Sequence, residues 1–204
     1  AAFDIEKGFY PTDVGKDRRF DFQIRETYLD VAPGGAWEFR LGRQHIVWGE
    51  VPGLFFADVV SAKDMREFVL QEFDALRIPQ WAVRADYYGA DSHFELIWIP
   101  VPTVDRIGKP GNDFYPFPPV APGFLPQFKT EDKPDRSLGN SNYGVRFSKL
   151  VNGWDMSAFA YRSIDNEAAF YRQVVAGPVP RFLYSPRHER ITQFGGTIAK
   201  DLGP

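Results

Sequence analysis

Apolar and charged side chains alternate strictly in the five residues that begin at Trp37, where odd positions are apolar and even positions are charged. Successive side chains of a β-strand point to opposite faces, so this pattern predicts a strand with one apolar and one charged face. A soluble sheet packs its apolar face on a core. A barrel of the outer membrane turns the apolar face to lipid and the charged face to an aqueous lumen.

Together with the strand that begins at Trp37, similar patterns predict about seven strands. The other six cover 18–32, 80–88, 92–101, 142–150, 154–162 and 188–202. Pro33-Gly34-Gly35, Gly89-Ala90-Asp91 and Asn152-Gly153 predict tight turns, and Asn-Gly is the strongest hairpin signal. Residues 49–79, 100–139 and 163–187 are long connections. Strict alternation of short and long connections is typical of an up-and-down membrane barrel, with short turns on one rim and long loops on the other.

Two of these stretches carry further signals. Ser61 to Asp64 fits a helix N-terminal capping box, and Met65, Phe68, Val69 and Phe73 recur at helical spacing. These signals predict a short amphipathic helix. It either packs on its own loop or folds into a barrel mouth as a constriction. Nine of the 17 prolines lie within 100–139, and so long an irregular insert is unusual in a compact soluble domain. The alternation slips past Gly42, which indicates either a β-bulge there or exit from a bilayer.

Composition narrows the class of protein. The chain has 204 residues, 16% aromatic residues, a net charge of −3 and no cysteine. No apolar run is long enough for a transmembrane helix. Absence of cysteine excludes a disulfide scaffold and a Cys-ligated metal site, and the charge gives no indication of nucleic-acid binding. We expect residues 1–204 to belong to one all-β, antiparallel transmembrane barrel domain.

The two faces supply the candidate site residues. A charged side chain on a lipid face costs about 2 to 4 kcal/mol near the bilayer midplane, so the charged row is expected to face inward. The predicted lumen-lining residues are Arg25, Glu38, Arg40, Arg84, Asp86, Glu95 and Arg146. The predicted lipid-facing or interface aromatics are Phe20, Phe22, Trp37, Phe39, Trp81, Phe94, Trp98, Phe147 and Trp154. The charged row either forms a cross-strand network that fills the wall or also sets the field inside a channel.

Signals of catalysis are weak. His45, His93 and His188 lie on separate predicted elements without metal-ligand spacing, and no serine occupies a nucleophile elbow. A phosphate-binding glycine loop is also missing from the sequence. We therefore predict no catalytic residue, no metal and no cofactor.

Four segments together resemble a porin-like outer-membrane family of Gram-negative bacteria: RETYLD from Arg25, LGRQHIVWGE from Leu41, SAKDMREF from Ser61 and RIPQW from Arg77. The function of that family is unknown, and some members are encoded beside RND-type exporters of hydrophobic molecules. The resemblance implies an outer-membrane β-barrel of more than seven strands, of which this chain is an internal part. It covers residues 20–100, and the pattern GRQ-x-x-x-WGE is its most specific part.

These observations predict an outer-membrane channel for passive or exporter-coupled passage of small molecules, with membrane lipid and an RND-type exporter as partners. Two alternatives stay open. One is a barrel whose lumen is plugged by its loops and which serves as a structural or docking platform. The other is a soluble β-rich binding module.

Overall fold

The computed structural model describes residues 24–49, 58–66, 76–108 and 123–200. The fold is all-β with antiparallel sheets, as predicted. The strands are β1 (Thr27–Gly34), β2 (Trp37–Gln44), β3 (Ala62–Lys63), β4 (Arg77–Ile78), β5 (Gln80–Tyr88), β6 (Ser92–Ile99), β7 (Leu125–Phe128), β8 (Asn142–Val151), β9 (Trp154–Ile164), β10 (Ala169–Val175), β11 (Arg181–Arg187) and β12 (Arg190–Lys200). A single 3-10 turn, Leu138–Asn140, is seen in these ranges. No helix within them has the length and hydropathy that crossing a membrane requires.

Seven strands form the main sheet in the order β1-β2-β5-β6-β8-β9-β12, and every neighbouring pair is antiparallel. The hairpins β1–β2, β5–β6 and β8–β9 follow one another along the chain, and long connections join them. All three tight turns therefore lie at one end of the strands, here called the turn rim. The long connections lie at the other end, the loop rim. The predicted meander of seven strands is confirmed.

The turn after β8 has the backbone that its sequence predicts. Asn152 and Gly153 both have positive φ, 50° and 76°. A two-residue turn of this kind matches the right-handed twist of the flanking strands, which explains the Asn-Gly pair. The hairpin of β1 and β2 instead contains an irregularity in β1 between Val31 and Gly34.

Of the two explanations for the slip past Gly42, the β-bulge is wrong, because the register runs through Gly42 without a break to both β1 and β5. The glycine has another cause. Its φ is 137°, and a Cβ atom at this position would overlap the carbonyl oxygen of Thr27 and lie 2.7 Å from Cα of Tyr28. Close approach of β1 to β2 therefore requires a residue without a side chain.

The capping box predicted at Ser61 to Asp64 is wrong. Ala62–Lys63 forms β3, which pairs with Arg77–Ile78 of β4. The Ser61 hydroxyl donates a hydrogen bond to the Ile46 carbonyl at 3.0 Å rather than capping a helix. A tertiary partner thus outweighs the local capping signal. The remaining helical positions, Phe68, Val69 and Phe73, lie outside the described residues.

The third long connection contains a hairpin that the sequence patterns did not predict. Strands β10 and β11 pair antiparallel, and β7 adds to β11 in parallel. Pro126 in β7 and Pro186 in β11 argued against these two strands, because proline is uncommon within a strand. Strands β10 and β11 belong to the connection between β9 and β12, and β7 belongs to the one between β6 and β8, so this sheet joins two of the long connections.

We predict that Gly42→Ala lowers the free energy of unfolding by at least about 1 kcal/mol more than Gly34→Ala does. Gly34 also has a positive φ, 107°, but a Cβ atom there meets nothing within 4 Å. The pair of variants therefore separates the destabilisation caused by the close approach of β1 from that caused by backbone strain. Urea unfolding followed by far-UV circular dichroism measures both. Equal losses for the two variants would show that strain alone explains the glycine.

Candidate functional site

The pairing registers assign each side chain of the main sheet to one of two faces. One face, here the charged face, carries Glu38, Arg40, Arg84, Asp86, Glu95 and Arg146. The opposite face, here the aromatic face, carries Trp37, Phe39, Trp81, Phe94, Trp98, Phe147 and Trp154. Phe20 and Phe22 lie outside the described residues. Arg25 precedes β1 and is exposed, and the pairing registers do not assign it to either face.

An ordinary soluble sheet buries its apolar face and exposes its charged face, and the main sheet shows the reverse. Asp86 and Glu95, on the charged face, are 1% and 6% exposed. Trp81 and Tyr143, on the aromatic face, are 53% and 54% exposed, and Phe194 reaches 76%. Carboxylates are rarely buried in proteins, and large exposed apolar surfaces usually mark a site of interaction.

The aromatic face is an apolar band with basic residues at its two ends. Arg43 and Arg162 lie near the loop rim, where they pair in register with Trp81 and Tyr143. Lys149 and Lys200 lie near the turn rim, and the Lys200 ammonium is 4.9 Å from the ring centroid of Trp154. Between these ends, the described positions of this face on β2, β5, β6, β8, β9 and β12 carry no charged side chain.

Ion pairs cross the charged face near the turn rim. Arg40 donates two hydrogen bonds to Asp30 across the β1–β2 pair, at 2.6 and 3.0 Å. Arg84 donates to Asp86 at 2.7 Å and lies 3.9 Å from Glu95. Each of these two arginines is thus offset by a carboxylate.

Sequence reasoning missed two members of this network. Asp30 pairs with Arg40, and the His93 imidazole lies 2.8 Å from Asp86. His93 precedes Glu95 by two positions and therefore shares its face, which the period of two predicts once the strand is recognised. Asp30 had no such signal, because its register depends on the irregularity in β1.

The loop-rim half of the charged face carries no charged side chain on the described strands and is covered. Its wall residues Ala82, Ile97, Ile99 and Tyr161 are each no more than 4% exposed. Two segments, 45–49 and 58–63, lie against them and are here called the inner segments. Ile46, Trp48 and Val60 of these segments form one buried cluster with the wall residues.

Trp48 is the largest side chain of this cluster and is fully buried. A Cβ atom added to Gly144 of β8 would lie 2.8 Å from one atom of the Trp48 ring and 2.9 Å from another. The ring therefore occupies the space that a side chain at 144 would fill. The indole also packs against Phe159 and Tyr161, with ring centroids 5.8 Å away in both cases.

A buried carboxylate organises the inner segments. One oxygen of Asp58 accepts hydrogen bonds from the backbone N–H groups of Val60 at 3.1 Å and of Trp48 and Ser61 at 3.4 Å. The other oxygen lies 3.3 Å from Nε of Arg77. Three backbone donors and a guanidinium compensate the cost of burying this charge.

The geometry accounts for most of the pattern GRQ-x-x-x-WGE. Gly42 admits the close approach of β1, and the Gln44 amide donates to the carbonyls of Arg40 and Ala82, both at 3.2 Å. Trp48 occupies the space beside Gly144, and Gly49 has a φ of 90°. Glu50 lies outside the described residues. The pattern thus marks the point where the chain leaves β2 and turns onto the charged face.

Two further histidines have structural partners. The His45 backbone N–H donates to Glu26 at 3.1 Å. His188, at the loop rim, places Nδ1 2.8 Å from the Asp165 carbonyl and Nε2 2.8 Å from the Glu131 carboxylate. Within the described ranges, no three His, Cys, Asp or Glu side chains are grouped as a metal site would require.

Comparisons of the chain with protein-family models, with curated proteins and with solved structures found no match.

The His188 contacts predict a dependence on pH. Burial opposes protonation of the ring, but the hydrogen bonds to Glu131 and to the Asp165 carbonyl outweigh it, so the pKa of His188 is raised above 6.5. Burial likewise disfavours the Glu131 carboxylate, but His188 and Lys133 outweigh it and hold its pKa below 4.5. The stabilisation from His188 is complete below its ordinary pKa and is lost as pH rises through its raised value. The contribution of Glu131 is complete above its ordinary pKa and is lost as pH falls through its lowered value.

We therefore expect residues 124–132 to be held most firmly between about pH 4.5 and 6.5. Amide hydrogen exchange of Lys129, whose N–H donates to the Tyr184 carbonyl at 2.9 Å, reports this contact once it is corrected for intrinsic rates. Protection should fall on either side of that range. His188→Gln should remove the decrease on the alkaline side, and an unchanged alkaline decrease in this variant would contradict the assignment.

Proposed function

We propose that this chain is part of the wall of an outer-membrane β-barrel, whose aromatic face contacts lipid and whose charged face lines a channel for small molecules. The observation that carries the proposal is the inversion of the main sheet, with ion-paired charges buried on one face and an uncharged apolar band exposed on the other. In a bilayer this is the expected arrangement, because lipid replaces the core.

Exposure of the band to water would be costly. Leu96 and Trp98 are 41% and 42% exposed, and their neighbours on adjacent strands are also apolar. Transfer of apolar surface out of water contributes about 25 cal/mol per Å², so a continuous band across several strands favours a cover. Acyl chains offer such a cover over the full width of the sheet.

The ends of the band support the same proposal. Trp37 and Trp154 begin the strands that follow two tight turns, and Trp81 and Trp98 lie towards the loop rim. Aromatic side chains favour the two bilayer interfaces, and Lys and Arg at the ends of a span extend their charges towards the headgroups. Strands β5, β8, β9 and β12 have 9, 10, 11 and 11 residues, which suits a tilted transmembrane strand of about 9 to 11 residues.

The charged face near the turn rim suits an aqueous channel. The side chains of Arg40, Arg84 and His93 are 30%, 23% and 31% exposed, so these groups are partly accessible to water. Because Asp30 and Asp86 neutralise the two arginines, we expect weak selection between small ions rather than a strict preference. An RND-type exporter partner rests on the family resemblance and stays a prediction.

A second candidate is a plugged barrel that serves as a structural or docking platform. The specific observation that favours it is the cover of the inner segments over Ala82, Ile97 and Ile99. The two candidates share the membrane wall and differ in whether solutes pass.

We predict that Leu96→Arg strongly impairs membrane assembly of the full-length protein, whereas Ser148→Arg does not. Leu96 pairs with Ala85 and Val145 at the centre of the band, and an arginine there costs about 2 to 4 kcal/mol in lipid. Ser148 lies on the charged face and is half-buried. Resistance of the folded barrel to denaturation by sodium dodecyl sulfate at room temperature measures assembly. In a soluble module Leu96→Arg would be harmless because the site is exposed, and that result would overturn the proposal.

Single-tryptophan variants supply an independent test. Of the five tryptophans, Trp98 lies on the aromatic face and Trp48 is buried on the charged side. We expect brominated lipid to quench the fluorescence of a variant that keeps only Trp98 and to leave one that keeps only Trp48 nearly unchanged. Equal quenching of the two, or none of either, would show that the faces are assigned wrongly.

A further inference from the structure

We propose that the inner segments are a plug that narrows the channel at its loop-rim half, and that Gly144 of β8 is the seat for its anchor, Trp48. The inference rests on the proposed channel and adds its point of restriction. It assigns a role to the segment that follows Gln44, which lies on the charged face although it is not part of the main sheet.

The fit between Trp48 and the wall is specific. Any side chain at 144 would collide with the Trp48 ring or with Tyr161, which a Cβ atom would approach to 2.7 Å. Glycine within a strand weakens it, so its presence there indicates a close approach that requires it. At Gly144 the group that approaches the strand is the ring of Trp48.

Polar contacts join the two inner segments to each other and to β4 and the loop rim. The Asp58 carboxylate joins the backbone of both inner segments, the Ser61 hydroxyl bonds the Ile46 carbonyl, and the Val59 N–H donates to the Trp48 carbonyl at 3.2 Å. Asn166 at the loop rim adds a hydrogen bond to the Val60 carbonyl at 3.3 Å. These contacts make the inner segments one unit.

Contact between plug and wall is mainly apolar. It joins Ile46, Trp48 and Val60 to Ala82, Ile97 and Tyr161 by packing. The indole N–H of Trp48 adds a polar interaction with the wall, towards the carboxylate of Glu95. The wall strands keep a continuous ladder of pairs beneath the plug. Displacement of the plug would break the pairs of Ala62 and Lys63 with β4 and the Lys63 bond to Asp105, but it would leave the strand pairs of the main sheet intact.

The division of the charged face locates the restriction. Near the turn rim the side chains of Arg84 and His93 stay partly exposed, whereas the wall under the plug is closed to water. A solute that follows the charged face from the turn rim thus meets the plug at the level of Ala82 and Ile97. Removal of the anchor should widen the path there.

Cysteine accessibility tests the seat directly, since the chain has no native cysteine. In the full-length protein in liposomes, Ala82→Cys reports the covered wall and Ser148→Cys the uncovered half of the same face. A small cationic methanethiosulfonate is the probe. We expect Ala82→Cys to react at least about tenfold more slowly than Ser148→Cys, and Trp48→Ala or Gly144→Leu to abolish most of that protection.

Conductance in planar bilayers tests the consequence. We expect Trp48→Ala and Gly144→Leu each to raise single-channel conductance, and the matched variant Trp98→Ala, which removes a tryptophan from the aromatic face, to leave it unchanged. Resistance of the folded barrel to sodium dodecyl sulfate confirms that each variant assembles.

The outcomes separate the plug from the channel. Rapid labelling of Ala82→Cys in the otherwise native protein would overturn the plug even if neither anchor variant folds. Protection that is lost in the variants without any change in conductance would show that the plug does not restrict the channel, which would itself stand. If the native protein and all variants fail to conduct, the proposed channel fails, and the restriction fails with it.

Discussion

The main sheet depends on where its charges are placed. Asp86 and Glu95 cannot be buried cheaply without partners, and the Arg84 guanidinium lies within reach of both carboxylates. Because strand side chains alternate, fixing this network on one face forces Ala85 and Leu96 onto the other. The register of the central strands, the exposed aromatic surface and the case for a lipid partner all follow from that alternation.

Glycines allow the second layer of the structure to form. Gly144 leaves space for Trp48, and Gly195 of β12 leaves space for Phe159, whose ring atoms lie 2.5 Å from the position of a Cβ atom there. An aromatic ring over a strand glycine restores packing that the glycine lacks and fixes the position of both. Trp48 and Phe159 also contact each other, so the two glycines support one aromatic group on the charged face.

The sequence predicts those parts of the fold that are set by local rules. The period of two identifies the seven long strands, and the Asn152-Gly153 pair fixes a turn whose backbone needs positive φ. The sequence patterns do not predict the short strands, because contacts with a tertiary partner determine whether they form. Ala62–Lys63 forms β3 through β4, and β11 contains Pro186 yet pairs along its whole length with β10. The burial of Trp48 is not predicted for a similar reason, since residues 45–49 have no periodicity and their burial depends on β8.

The charged face itself holds a signal for the inner segments. Along β5 this face changes from Asp86 and Arg84 to Ala82, and along β6 it changes from Glu95 to Ile97 and Ile99. A lumen wall in contact with water has no need of aliphatic residues, so such a change indicates that protein rather than water covers the wall beyond it. In both strands the change occurs on the side of the loop rim, where the long connections begin. The same alternation that separates the aromatic face from the charged face therefore also marks, within the charged face, the level at which a connection folds back over it.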